Sequence, residues 1–95
     1  DELIGTIISI DRFGNCISNI NENFLNKFAK NGSEKRLEIK IGEIVIKSLS
    51  RSYTDVGSGY PLAIIGSFGY LEIALNCDNA SHQLNVEKGD TVTLK

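Results

Sequence analysis

The sequence predicts an all-β fold: a small antiparallel β-barrel of about six or seven strands with one short helix. Three observations carry this expectation. Short β-branched runs alternate with Gly, Asn, Asp and Ser punctuation along nearly the whole chain, the pattern of strands joined by turns. One segment alone clearly places its apolar residues at helical spacing. And 95 residues hold a single core, where closing the sheet removes the edges that many short strands would otherwise expose. Residues 1–95 therefore read as one domain, with no internal repeat or linker.

Residues 4–10 form the first strand, with Ile4, Ile8 and Ile10 expected on one face, and residues 13–20 form the second. Over residues 21–30 the rhythm changes. Phe24, Leu25, Phe28 and Ala29 recur at helical spacing, Asn21 or Asn23 can cap the start, and Asn31-Gly32 is a natural stop. Leu37-Glu38-Ile39-Lys40-Ile41 alternates apolar with charged residues, and Gly42-Glu43 turns it back into Ile44-Val45-Ile46 as a hairpin. Residues 62–65 and 70–75 pair around Gly66-Ser67-Phe68-Gly69. Residues 78–84 can add a short helical turn, and Lys88-Gly89-Asp90 leads into a last strand at 91–94.

Composition narrows the function classes. Apolar residues are 41% and charged residues 23% of the chain, which places it among globular rather than disordered sequences. A net charge of −2, with Lys35-Arg36 the only adjacent basic pair, offers no basic stripe for nucleic acid. No apolar run approaches the ~20 residues of a membrane span, and no charged-then-apolar leader opens the chain. The start at Asp1 and the lack of Met read as a fragment of a longer protein. Cys16, Cys77 and the lone His82 are too few for a zinc site. Both cysteines are expected to be free thiols in a reducing, cytoplasmic setting. General acid–base chemistry needs titratable groups gathered in one pocket. Asp11, Asp55 and Glu72 with one histidine make the chain alone a poor enzyme, and no catalytic residue is assigned to it.

Three stretches look less generic. In Phe13-Gly14-Asn15-Cys16-Ile17-Ser18-Asn19-Ile20, period-2 alternation sets Phe13, Asn15, Ile17 and Asn19 on one face and Cys16, Ser18 and Ile20 on the other. A ring beside an amide suits a purine, which needs a covered face and a donor–acceptor pair along its edge; a core Phe with a turn-forming Asn would share the pattern. In Gly66-Ser67-Phe68-Gly69-Tyr70-Leu71-Glu72, the glycines can let a carboxylate approach the Ser67 amide and hydroxyl, or can simply close a hairpin. Ser52-Tyr53-Thr54-Asp55-Val56-Gly57-Ser58-Gly59 lacks the Gly-Lys-Ser/Thr ending of a phosphate cradle. It reads as a loop that can present Tyr53 over a ligand, or as plain flexible chain.

Ile-Asp-x-Phe-Gly-Asn-x-x-Ser-Asn-Ile from Ile10, Tyr-x-Asp-Val-Gly from Tyr53, Ser-x-Gly-Tyr-Leu-Glu-Ile-Ala from Ser67 and a closing Gly-Asp-x-Val from Gly89 together resemble one family. It is the C-terminal domain of the S-adenosylmethionine hydroxide adenosyltransferases, in the superfamily of the fluorinases and chlorinases. The resemblance implies a two-domain protomer whose N-terminal α/β domain activates water or halide. The substrate S-adenosylmethionine, with no further cofactor, lies between this barrel and the N-terminal domain of a neighbouring protomer, in a homotrimer. It further implies that Asp11 contacts the amino-acid or ribose part, that Phe13 and Ile17 line the adenine pocket and that Asn15 bonds the adenine edge. Tyr53 packs against the base, Ser67 holds the methionine carboxylate, backbone groups of Asn76 and Cys77 meet the adenine, and Glu72 also lines the site. Phe68 and Leu75 stand where the halogenating enzymes carry Arg, and Ile17 where they carry Trp, which favours water as nucleophile. Cys77-Asp78-Asn79 replaces a Gly-Ser-Ala run. The reading from another class is a stand-alone barrel that binds a protein or single-stranded nucleic acid, against which the acidic charge weighs.

Overall fold

Among the described residues of the computed structural model, 2–31 and 37–95, eight strands and two short helices form a nearly closed barrel. They are β1 (Leu3–Ile10), β2 (Cys16–Asn21), α1 (Glu22–Asn31), β3 (Ile39–Ile41), β4 (Ile44–Ile46), β5 (Leu49–Ser50), β6 (Pro61–Ile65), β7 (Tyr70–Leu75), α2 (Ala80–Gln83) and β8 (Thr91–Leu94). The sheet order is β4-β3-β8-β1-β2-β7-β6-β5. The expectation of six or seven antiparallel strands with one short helix is corrected on two points: there are eight strands, and β5 runs parallel to β6, so the sheet is mixed. The helical turn that residues 78–84 can add forms as a second helix, α2. At two residues, β5 is too short to leave an alternation in the sequence.

β1 joins the two halves of the sheet. Its first residues pair with β8, from Leu3 against Leu94 to Thr6 against Thr91, and its last residues pair with β2. Pairing with β8 aligns Gly5 with the fully buried Val92, so Leu3, Gly5 and Ile7 turn inward, while Ile4 (63% exposed) and Ile8 face out. Ile4 and Ile8 share a face as expected, and it is the outer one. Between Ile7–Ser18 and Ser9–Ile17, β1 advances two residues and β2 one. That β-bulge resets the alternation, so that Ile10, opposite buried Cys16, returns to the core face.

The other predicted elements form close to their places. The hairpin pairs Ile39–Ile46 and Ile41–Ile44, with Ile39 and Ile41 buried and Lys40 exposed. The Asn21 side chain accepts a 2.9 Å bond from the Phe24 amide, capping α1. Leu25 and Phe28 then pack on the core while Phe24 stays exposed. The Gly32 stop, the Lys35-Arg36 pair and the Ala29 side chain lie outside the described residues. Ile7, Ile20, Ile39, Ile41, Leu71, Ile73, Val92 and Leu94 fill the barrel. Each such side chain contributes about 1.5–3 kcal/mol when buried.

Candidate functional site on the outer face of the barrel

β6 reads as a continuous apolar run, and β7 as one broken by Glu72, because both of their faces are covered. Ala63, Leu71, Ile73 and Leu75 point into the barrel. On the outside, Leu62, Ile64 and Ala74 form a second buried cluster under Val56. Cross-strand pairing sets Ile17 of β2, Glu72 of β7 and Ile64 of β6 in one outward row. This is the surface that gathers the candidate residues.

The turn between β1 and β2 lies at one end of that surface. Asp11 organises it: one carboxylate oxygen accepts from the amides of Phe13 and Asn15, both at 2.9 Å, and the other accepts from Asn15 Nδ2 at 3.2 Å. Among the described residues the second N–H and the side-chain carbonyl oxygen of Asn15 have no partner. Gly14 has φ +86°, and a side chain there would collide with Asn79. Asn79 in turn caps α2 by accepting from the His82 amide at 3.0 Å, and Ser81 N donates to Gly14 O at 2.9 Å. α2 is thus the buttress of the turn.

The Tyr53 loop is held from within and from below. Asp55 accepts from the amides of Arg51 (2.8 Å) and Ser52 (3.4 Å) and from the Ser52 hydroxyl (3.2 Å). The Arg51 amide bond is foremost in holding the Asp55 carboxyl below its usual range. Buried Asn76 ties the far side down: its Nδ2 donates to Val56 O at 2.7 Å, its carbonyl accepts from Gly59 N and its amide donates to Tyr60 O. Tyr53, in a 3-10 turn over Tyr53–Asp55, remains 40% exposed. Burial first, then the neighbouring Glu72 and Asp11 carboxylates, raise its hydroxyl pKa.

Glu72 is 9% exposed, and its carboxylate lies where a Cβ on Gly66 would sit. Burial, and next the Asp11 charge, push its pKa above the ordinary carboxylate value. Asp11, Tyr53 and Glu72 therefore share one electrostatic neighbourhood, acidic and walled by Ile17 and Ile64. Among the described residues no group of three or more His, Cys, Asp or Glu side chains converges as a metal site.

The candidate residues fall into two sets. Asp11, Asn15, Ile17, Tyr53, Glu72 and Asn76 belong to the outer surface or its supports. Ser67 and Phe68 sit at the other end of β7 from Asn76 and Cys77, in a tight turn closed by Gly69 N to Gly66 O at 3.0 Å, and Phe68 is 90% exposed. Phe13 lies in the turn before β2 rather than in the strand expected from residue 13, 69% exposed beneath the Arg12 guanidinium. Cys77 is exposed with φ +66°. Sequence reasoning missed Val56, Leu62, Ile64 and Ala74; the unbroken apolar run at 62–65 was the signal for a covered outer face. A separate shallow groove of about 320 Å³, lined by Glu2, Lys40, Gly42, Thr91, Thr93 and Lys95, contains none of the candidates.

Comparison with known proteins shows the family. Residues 5–93 match the family model described as SAM hydroxide adenosyltransferase C-terminal domain. The chain is 30% identical over 90 residues to the (R)-S-adenosyl-L-methionine hydrolase of Thermus thermophilus, covering 95% of this chain and 31% of that protein. To the (R)-S-adenosyl-L-methionine hydrolase of Methanocaldococcus jannaschii it is 33% identical over 104 residues, covering 99% and 36%. The chain spans about a third of the length of these relatives. Among solved structures, an uncharacterized conserved protein from Thermotoga maritima superposes with a TM-score of 0.80 at 30% identity, covering 98% of this chain and 35% of that one. A conserved hypothetical protein from Thermus thermophilus superposes at 0.77 with 27% identity, covering 97% and 34%.

Proposed function

Because the chain belongs to the SAM hydroxide adenosyltransferase C-terminal domain family, we propose that it is the adenosyl-binding part of an enzyme that cleaves S-adenosylmethionine with water to adenosine and methionine. The observation that carries this reading is the convergence of Asn15, Ile17, Tyr53 and Glu72 on a surface outside the barrel core. Asn15, oriented by Asp11, presents a donor and an acceptor to the adenine edge, while Ile17 and Tyr53 offer an apolar wall and a ring to its faces. Ser67 takes the methionine carboxylate at the far end of β7, beside the exposed Phe68, and the backbone at Cys77 lies at the adenine end. With both backbone polar groups of Asn76 engaged inside the chain, that residue acts as the anchor of the Tyr53 loop.

Water activation belongs to the remaining two thirds of the protein. The N-terminal domain of a neighbouring protomer closes the site in a homotrimer, and the 95-residue chain by itself is inactive. The test is turnover by the full-length protein, with adenosine and methionine measured chromatographically. Equal amounts of the two products are expected, and none from this chain alone. Asn15→Ala should raise KM about tenfold, the loss of roughly one well-made hydrogen bond. An unchanged KM would remove Asn15 from the purine edge, and turnover by the isolated chain would overturn the half-site reading.

A further inference from the structure

Glu72 is placed as no core-building residue needs to be. It sits between Ile17 and Ile64 in one cross-strand row, nine-tenths buried, with its carboxylate against Gly66. Among the described residues no donor bonds that carboxylate, and the one ion pair is Lys95 with Glu2. The charge that acts on Glu72 is that of a second carboxylate, Asp11, and the charge of Glu72 acts in turn on the Tyr53 hydroxyl. Among the described residues every side-chain oxygen sealed from solvent has a partner. Glu72, lacking one, therefore keeps its oxygens at the open surface of the site. A desolvated acid beside a like charge is unfavourable unless a cation completes it.

We propose that Glu72, with Asp11 beside it, is the counter-charge for a positively charged organic group of the ligand, a sulfonium or an ammonium. This rests on the adenosyl-binding reading and narrows it: the site selects a cationic adenosyl ligand over a neutral one of the same shape. The walls argue for an onium group rather than a metal ion. Ile17 and Ile64 flank the carboxylate, whereas a hard divalent ion requires about six oxygen ligands. A charge clothed in CH groups is content against apolar walls, and the Tyr53 ring can add a favourable face. The position along β7 agrees, since Glu72 lies between the end that carries Asn76 and the end that carries Ser67. A charge in the middle of an extended ligand would arrive there.

The experiment is calorimetric titration of the full-length protein, wild type and Glu72→Gln, with three adenosyl probes. 5′-Methylthioadenosine carries neither charge, S-adenosylhomocysteine carries an ammonium group without a sulfonium, and 5′-dimethylsulfonio-5′-deoxyadenosine carries a sulfonium without an ammonium. Glu72→Gln should weaken one or both of the charged probes about 10- to 100-fold, as expected for a lost charge-assisted contact, and leave methylthioadenosine unchanged. Which charged probe responds identifies the group. Gly66→Ala, which displaces the carboxylate without removing it, should reproduce the selective loss and guards against a folding defect in the first variant. Equal weakening of all three probes, or of none, overturns the counter-charge while adenosyl binding stands. Failure of the wild type to bind any of the three overturns both.

Discussion

At the scale of single residues, the chain uses its acids in three different ways. Asp55 is held by its own loop and Asp11 by the turn it builds, whereas Glu72 is buried with no donor among the described residues. Glu72 therefore leaves a mark on stability. Its folded-state pKa is raised, so the stabilisation it contributes is fully present below the ordinary glutamate range, near ~4.3, and is lost as pH rises through the raised value. Ionised Glu72 weighs against the fold at neutral pH. Thermal melts of wild type and Glu72→Gln across pH 4–8 should show the variant melting higher near neutrality, with the gap closing toward the acid end. Asp55, shifted the opposite way, and Tyr53, which titrates far above this window, are present in both proteins and drop out of the difference. A gap of constant size would mean that the Glu72 charge is not strained in the fold.

At the scale of elements, alternation was legible and its interruptions were not. The split of β2 into an outward face with Ile17 and Asn19 and an inward face with Cys16, Ser18 and Ile20 follows from period 2 alone, and the structure has it, whereas Phe13 and Asn15, expected on the same face as Ile17, lie in the turn before the strand. Ile10 leaves the face it is expected to share with Ile4 and Ile8 because a bulge at Ile8–Ser9, a long-range fact of pairing with β2, turns it to the core. β5 escaped for a similar reason: its two residues are strand only because β6 lies alongside. The candidate residues come from the motifs, but the support of Asp11 by Phe13 and Asn15 amides, and of Asn76 by Val56, belongs to folded geometry. Between Ile17–Glu72 and Asn21–Tyr70, β2 advances four residues and β7 two, and in that gap the Ser18 hydroxyl donates to Leu71 O at 2.7 Å and accepts from Ile20 N at 3.1 Å. Ser18→Ala removes both bonds inside the core. Denaturant melts of the chain should show a loss of about 1–3 kcal/mol, and an unchanged midpoint would mean that the ladder closes without the hydroxyl.

At the scale of the whole molecule, the two thiols report on different events. Cys16 is buried, its pKa pushed up to about 11 first by desolvation and then by Asp11 and Asp90, while Cys77 is exposed. Iodoacetamide followed by mass spectrometry should label Cys77 promptly and Cys16 only as fast as the barrel opens. Prompt labelling of both would mean that the barrel opens locally at β2. One consequence reaches beyond any assay of the present protein. On β7, core-facing Leu71, Ile73 and Leu75 alternate with outward Glu72 and Ala74. A nucleotide change in a codon for one set leaves the other set's partners in place. A surface that binds as proposed could exchange what it recognises in single mutational steps while the barrel beneath stays foldable, so recognition and architecture can change at separate rates.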